Sequence, residues 1–565
     1  MMNAEPTRIF DLLEVISSRP GSETTFSSLC NDKWREYTVS DYINYANRTS
    51  YALLQAGVRK GDTVLTISHN RAEFNFADMG IMQIGAIHVP LYQAIELNKL
   101  EGILRETGAK IAFISNKWIL KKIRQVKSCP LEVIVSFDST EGALFYEDFL
   151  NSATENLQML NGLKSAVLPA DPASIIYLSG ANTPLRGVVL SHEAHVFSFL
   201  SYCISDRFSG CNQNLSFLPL AHCLERTANY IFQYLGIKVC YTEGITSVLA
   251  LVKEVKPEAM IVVPLMLDKA IEIAQNEILK KPGIPGRISR RAYTLALKET
   301  ASNQNSRFSV KRLLFRLALK DIRQVLGGNI RSVVCGGAAL RAEVLNLLWA
   351  AGLNIYEGYG LTEAGPLVSF NHHNGFRTLS VGQPMPGVEV KIASDQEVLV
   401  KSRGLMTGYY KQDLSPIDNE GWLHTGDVGH LDQQGFLRLT GIKKDLFKVS
   451  SGLYMDPRPI EKAICLSGFI QQAWVYGHNR SFLVALIVPS AGEHENAHER
   501  ELMDRRIGET ISDYNSSCYI YDKVIKYQVV EGDWTLANGV LYADGNLNRQ
   551  ALFESNRDLI ESLYS

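Results

Sequence analysis

The chain has 565 residues, of which 46% are hydrophobic and 21% charged, and a formal net charge of −2. That length is too great for one small core and implies two or more domains of a soluble globular protein. The near-neutral balance gives no general attraction to nucleic acid, and no apolar run reaches the ~18 residues that cross a bilayer.

Nine cysteines are scattered from Cys30 to Cys518 with no Cys-x-x-Cys pair, a usage that suits free thiols in a reducing compartment. Residues 1–13 carry Glu5, Arg8 and Asp11 and lack the apolar core of a signal peptide, so a cytoplasmic location is expected.

In chain order, Thr63 to Ile67 reads as a strand, Arg71 to Ile84 as a helix and Ile87 to Leu91 as a strand. Asn98 to Thr107 follows as a helix with Leu100, Ile103 and Leu104 on one face, then strands at Lys110 to Ile114 and Glu132 to Ser136. Such alternation predicts an α/β protein with helix-flanked, mostly parallel sheets. Ser174 to Gly180 is a strand ending in a loop of small residues, and Val188 to His192 a second strand and helix start. Arg331 to Cys335 is a strand and Arg341 to Ala351 a helix. Its stripe is Leu340, Val344, Leu347 and Leu348, and Gly352 is placed to end it.

Between Lys280 and Arg323 there are twelve Lys or Arg against Glu299 and Asp321 alone. Leu314, Leu317 and Ile322 fall on one helical face. The stretch reads either as a solvated helical excursion or as a patch resting on anionic lipid. After Asp445, Ala473 to Tyr476 and Phe482 to Val488 flank Gly477 to Arg480 as a β-hairpin, and helices follow, giving a small α+β domain of about 120 residues.

Asn354 to Tyr356 is a short strand running into a turn with Gly358 and Gly360, followed by Thr362 and Glu363. The glycines let backbone approach a bulky ligand, Thr362 can donate to a phosphate oxygen, and Glu363 can hold a hard cation such as Mg²⁺. Taken alone, the stretch is equally an ordinary strand-to-helix turn. The loop Gly336-Gly337 also lies beyond the carboxyl end of a strand, where open α/β sheets bind ligands.

The ordered set Ser174–Gly180, Arg186–His192, Leu218–Arg226, Gly336–Leu340, Gly358–Glu363, Gly421–Asp427 and Gly441–Lys448 resembles the adenylate-forming (AMP-binding) superfamily, and within it the long-chain fatty-acid–CoA ligases. The resemblance runs over about residues 8 to 563. It implies a large N-terminal acyl-activating domain, residues 1–440, with a β-barrel-like subdomain and the basic excursion at about 268–325. It also implies a small mobile α+β lid, residues 441–565, hinged near Lys444. The implied reaction consumes ATP with Mg²⁺. A fatty-acid carboxylate attacks the α-phosphate and expels pyrophosphate, and the thiol of coenzyme A, or of an acyl carrier protein, then displaces AMP.

By position, Thr362 would bind the α-phosphate and Glu363 the Mg²⁺. Tyr359 and Gly360 with the loop Gly336, Gly337 and Ala338 would enclose the adenine, and Asp427 would accept from the ribose hydroxyls. His222 would stand at the mouth of the acyl and thiol sites, Lys448 would serve the second half-reaction, and Ser179, Gly180, Thr183 and Arg186 would form the phosphate loop.

Several positions depart from the family pattern. Residues 179–187 read Ser-Gly-Ala-Asn-Thr-Pro-Leu-Arg-Gly where the family has Ser-Gly-Thr-Thr-Gly-x-Pro-Lys-Gly. Thr183 replaces a glycine whose positive φ a β-branched residue resists, Pro184 removes an N–H donor, and Arg186 keeps the charge of a lysine. Ile442 stands where the family has an arginine. Asn546 stands where the adenylation lysine should be, and no lysine follows Lys526. Loss of such a donor costs a factor on the order of 10²–10³ in rate. The sequence therefore supports either a slow ligase or a degenerate relative. The latter would bind nucleotide, acyl-adenylate or acyl-CoA, or perform only the thioester-forming half.

Overall fold

The structure is a computed structural model. It describes residues 5–565 apart from 31–32, 179–184, 205–207, 243–244, 299–309, 338–339, 373–376, 414, 444–446, 451–453, 456, 491–496, 519–521, 531–533, 536–539 and 541–546.

Two large sheets form the first four-fifths of the chain. One has eight strands in the order 408–409, 187–191, 172–177, 87–91, 63–67, 111–114, 133–136, 144–145, parallel from 172–177 onward. The other has nine, in the order 383–384, 369–370, 355–359, 332–335, 259–262, 213–216, 238–241, 24–30, 33–38, parallel from 355–359 to 24–30. A four-stranded antiparallel sheet spanning 389–442 occupies the part expected to be barrel-like.

The helices that matter most below are α1 (Ala72–Gln83), α2 (Cys223–Leu235), α3 (Pro264–Lys280), α4 (Gly283–Lys298), α5 (Val310–Ala318) and α6 (Ala342–Ala350). Helix α1 touches strands of both large sheets and is buried at every residue, its polar Glu73, Asn75, Asp78 and Gln83 included. It crosses helix Val39–Gln55 closely: a Cβ on Gly80 would lie 2.5 Å from the Cβ of Thr49, so only glycine fits there.

Between the sheets lies a connected set of buried polar groups. Asp78 on α1 accepts from Tyr230 of α2 at 2.7 Å, pairs with the Arg226 guanidinium, and contacts His88 Nδ1 at 2.6 Å. His88 Nε2 meets the Thr66 hydroxyl at 2.8 Å, and Arg226 Nε donates to Tyr230 at 2.7 Å. Burial pushes the Asp78 carboxyl up, but the charges of Arg226 and His88 outweigh it and hold the group at about 2. One turn along α2 from Arg226, Tyr241 of the nine-stranded sheet donates to Asn229 at 2.6 Å, and Asn75 of α1 donates to Tyr241 at 2.8 Å. Helix α2 is thereby fastened to α1 and to both sheets.

A smaller C-terminal domain has its own core. Strands 470–476 and 483–489 pair antiparallel as the expected hairpin, and 524–529 adds in parallel. Phe447, Ile464, Leu483, Ile487, Ile507 and Val524 are among its buried residues.

Three local expectations change. The strand at 354–356 extends over Ile355–Tyr359, because Gly358 and Tyr359 pair with Phe370 and Ser369. Leu340 precedes α6 and is not part of it. Leu314 and Leu317 do not share a face with Ile322: α5 ends at Ala318 and a separate turn of helix begins at Lys320, so Phe315, Leu319 and Ile322 face the core while Leu314 and Leu317 face solvent.

Removing one partner of the central ion pair strands the other in the core. Asp78→Ala should therefore lower the stability of the large domain by about 3–5 kcal/mol in urea denaturation. A loss below about 1 kcal/mol would show that Arg226 finds another counter-charge.

Candidate active site

The site grows from the carboxyl end of strand Ile355–Tyr359. A Cβ on Gly358 would lie 2.4 Å from the Phe370 ring, and one on Gly360 would lie 1.5 Å from the Pro366 carbonyl oxygen. These glycines are thus required by the packing of the loop on its own neighbours, which is a different reason from the ligand approach expected of them. The chain then makes a short turn, Thr362–Ala364, closed by Gly365 at φ +80.

Tyr359 and Asp427 meet directly. The Tyr359 hydroxyl donates to Asp427 Oδ2 at 2.6 Å, and both residues are buried. Asp427 belongs to strand Leu423–Leu431, whose antiparallel register places position 442 directly opposite it. The position where the family pattern has arginine is therefore opposite Asp427 in the ladder, and isoleucine occupies it.

Glu363 Oε1 accepts from the Tyr409 hydroxyl at 3.0 Å, and the Arg186 guanidinium lies over the Tyr409 ring at 5.5 Å. Burial raises the Glu363 carboxyl above its ordinary value, against the opposing pull of Tyr409 and Arg186 and with the Asp427 charge adding to the rise. Exposure and desolvation differ here in degree: the side chain is half-buried yet strongly desolvated by its neighbours. Among the described residues no group of three His, Cys, Asp or Glu forms a metal cluster. A single carboxylate of this kind fits Mg²⁺, a cation that keeps waters and substrate phosphate oxygens as its other ligands.

The turn is tied to α2 through one contact. Thr362 Oγ1 lies 3.1 Å from the thiol of Cys223, the first residue of that helix. His222 caps the same helix, its Nδ1 accepting from the Leu224 N–H at 3.2 Å. That bond assigns the ring proton of neutral His222 to Nε2. Gly336 packs above α2, with a Cβ position 3.2 Å from Leu224, and Gly337 has φ +89. The following backbone is joined to the strand by Glu357, whose Oε1 accepts from the Leu340 N–H at 3.2 Å and whose carboxyl burial pushes up to about 7.

Of the residues expected in the site, Thr362, Glu363, Arg186, Tyr359, Gly360, Asp427, His222, Gly336 and Gly337 line one region. Ser179, Gly180, Thr183, Ala338 and Lys444 lie outside the described residues, as does Asn546. Lys448 is placed by its backbone alone, paired with Tyr454. Arg549 forms a two-pronged pair with Glu461 at 2.9 and 2.6 Å within the small domain. Sequence reading missed Cys223, Tyr409 and Glu357. Cys223 lies inside the quoted motif beside His222, whereas nothing local in the sequence marks Tyr409.

The sheet order, the Thr362–Glu363 turn beside Tyr359–Asp427, and a second small α+β domain define the adenylate-forming class of enzyme. Residues 14–410 match the AMP-binding enzyme family and 444–565 its C-terminal domain. The chain belongs to that family. It is 27% identical to a long-chain-fatty-acid–CoA ligase (FadD15) of Mycobacterium tuberculosis, over 96% of this chain and 94% of that protein. It is 29% identical to long chain acyl-CoA synthetase 2 of Arabidopsis thaliana, over 80% and 73%. Among solved structures, an o-succinylbenzoate CoA synthetase double mutant from Bacillus subtilis superimposes with a TM-score of 0.68 at 19% identity, covering 96% of this chain and 98% of that one. The A-PCP didomain of a carboxylic acid reductase from Segniliparus rugosus gives 0.75 at 17%, covering 99% and 82%. These structural likenesses establish the fold.

Glu225, one residue before the Arg226 anchor, gives a pH test. Its Oε1 accepts from Ser216 at 2.6 Å, its Oε2 has no partner, and burial pushes the carboxyl to about 8 from the ordinary 4.5. A group raised on folding contributes stability below its unfolded value, and that contribution is lost as pH climbs through the folded one. Relative to the parent, Glu225→Gln should gain thermal midpoint steadily between pH 4.5 and 8. A difference independent of pH would show that Glu225 is ionised throughout.

Proposed function

We propose that this enzyme activates a long-chain fatty acid with ATP through an acyl-adenylate and transfers the acyl group to the thiol of coenzyme A, with a slow first step. The observation that carries the reading is the Tyr359–Asp427 hydrogen bond beside the Thr362–Glu363 turn, a nucleotide-sized wall of aromatic face, carboxylate and hydroxyl in one region. The long-chain assignment is supported by the relatives named above, whose own titles carry it.

In this reading the fatty-acid carboxylate oxygen attacks the α-phosphorus and pyrophosphate leaves. The thiol sulfur then attacks the acyl carbonyl, and AMP leaves. Thr362 donates to an α-phosphate oxygen, and Cys223 holds its hydroxyl from behind. Asp427 accepts from the ribose hydroxyls, while Tyr359, Gly360 and the Gly336–Gly337 loop confine the adenine. Glu363 would hold Mg²⁺, whose charge offsets that of the phosphates when it is bound. His222 presents Nε2–H toward the acyl and thiol entrance.

Residues 1–440 act as the acyl-activating domain, with the excursion at about 268–325, and 441–565 act as a lid turning near Lys444, with Lys448 serving the second step. The protein works from the cytoplasm, with fatty acid reaching it from a membrane surface. Among the described residues no helix is long and apolar enough to cross a membrane. The slow first step is inferred from Asn546, Ile442 and the 179–187 loop, all of which bear on adenylation.

That concentration of changes also favours a second reading, in which only thioester formation survives, to coenzyme A or a carrier protein. Fatty-acid-dependent exchange of labelled pyrophosphate into ATP separates the two. Slow exchange is expected, accelerated by Asn546→Lys toward the factor on the order of 10²–10³ that such a donor supplies. No exchange from either protein with any chain length, alongside AMP release from preformed acyl-adenylate on adding coenzyme A, would replace the ligase with the half-enzyme.

A further inference from the structure

The outer layer covering α6 is built inside out for a soluble protein. Helix α4 turns its small residues inward: Ser289, Ala292 and Ala296 are buried, and the helix packs on α3 and α6. Its bulky aliphatic residues point out, with Ile284 71%, Ile288 55% and Leu295 49% exposed. Helix α5 repeats the arrangement: Phe315 is buried, while Leu313, Leu314 and Leu317 are each about 60% exposed. Leu279 at the end of α3 is exposed as well. Seven of the nineteen exposed large hydrophobic residues among those described therefore fall between Leu279 and Leu317. Single exposed leucines need no explanation, but a cluster marks a contact surface.

The charges interleave with the apolar groups. Along α4 the order on one stripe is Ile284, Arg287, Ile288, Arg291, Leu295, at helical spacings. Along α5 and just beyond it is Leu313, Arg316, Leu317, Lys320. Arg287, Arg291, Arg316 and Lys320 are exposed. The only ion pair among the described residues of this stretch joins Lys281 to Asp321. Twelve basic residues against two acidic ones between Lys280 and Arg323 give it a charge opposite to that of the chain as a whole. Aliphatic side chains set among arginines and lysines on outward-facing helices match an interface of acyl chains beneath anionic headgroups.

We propose that α4 and α5 dock this enzyme on an anionic lipid bilayer, with Ile284, Ile288, Leu295, Leu313, Leu314 and Leu317 entering the headgroup boundary and the neighbouring basic residues pairing with lipid phosphates. The choice of a bilayer over an acidic protein rests on the long-chain substrate proposed above, since such acids reside in membranes. The two readings fail separately, because lipid binding is measured here without ATP or fatty acid.

The test is co-flotation of the full-length protein with vesicles of phosphatidylcholine alone and of equal parts phosphatidylcholine and phosphatidylglycerol. Binding to the anionic vesicles is expected at low salt, with loss at high ionic strength and binding about tenfold or more weaker on phosphatidylcholine alone. Two multiple variants, Arg287→Glu with Arg291→Glu, and Ile284→Ser with Ile288→Ser and Leu295→Ser, should each weaken binding about tenfold or more while leaving the thermal midpoint unchanged. Equal binding of parent and variants, equal binding to both vesicle types, or no binding to anionic vesicles would overturn the proposal. So would a lipid-free dimer that the serine variant dissolves in a protein that ignores vesicles, because the face would then belong to a second copy.

Discussion

The pairing of Arg226 with Asp78 in the space between the two large sheets is the constraint on which the rest of the site depends. A buried ion pair is a poor source of net stability, since desolvating two charges cancels most of their attraction. Its consequence is positional. Arg226 is one helical turn along from Cys223, and the same turn carries His222 as its cap. With Tyr230, His88 and Thr66 joined to it, and Asn229, Tyr241 and Asn75 bonded one turn along, α2 is fastened to α1 and to both sheets. That seating sets where the Cys223 thiol meets Thr362, and so joins the helix cap at His222 to the Thr362–Glu363 turn.

The preserved and altered parts of the site divide along the same line. The wall built on strands and on α2 carries the pairs Tyr359–Asp427, Tyr409–Glu363 and Cys223–Thr362, with His222 next to Cys223. The positions that depart from the family pattern are Thr183 and Pro184, Ile442, and Asn546, of which Ile442 alone lies among the described residues, at the end of strand Leu437–Ile442. Position 442 is the instructive one, because the ladder places it opposite Asp427. Isoleucine there carries no cation, and the ladder pairing with Asp427 is kept.

Much of this was legible in the sequence because strand and helix periods alternate cleanly. Thr63–Ile67, Ile87–Leu91 and the hairpin around Gly477 fall where expected, and Gly352 ends α6 at φ +82. What could not be read locally depends on long-range contact. Gly358 and Gly360 suggested ligand approach, yet their neighbours are Phe370 and Pro366, known only once strand 369–370 folds back. Leu314 and Leu317 were expected to share a helical face with Ile322, but a break after α5 leaves them outward while Ile322 faces the core. Tyr409, which holds Glu363, comes from a two-residue strand on the other sheet, and sequence spacing gives no hint of it. The residues named by the family resemblance could be picked out of the sequence; Cys223, Tyr409 and Glu357, which contact their neighbourhood, were not.

The central claim is that this wall binds an adenylate. Isothermal titration of the full-length protein with AMP and with a long-chain acyl-sulfamoyl-adenosine, a stable mimic of the acyl-adenylate, tests it without requiring turnover. The account predicts that the mimic binds at least a hundredfold more tightly than AMP, on the order expected when an intermediate's added contacts are satisfied together. It also predicts that Asp427→Ala weakens both. Failure of either ligand to bind, or an Asp427→Ala variant that keeps the parent's affinity for both, would contradict it.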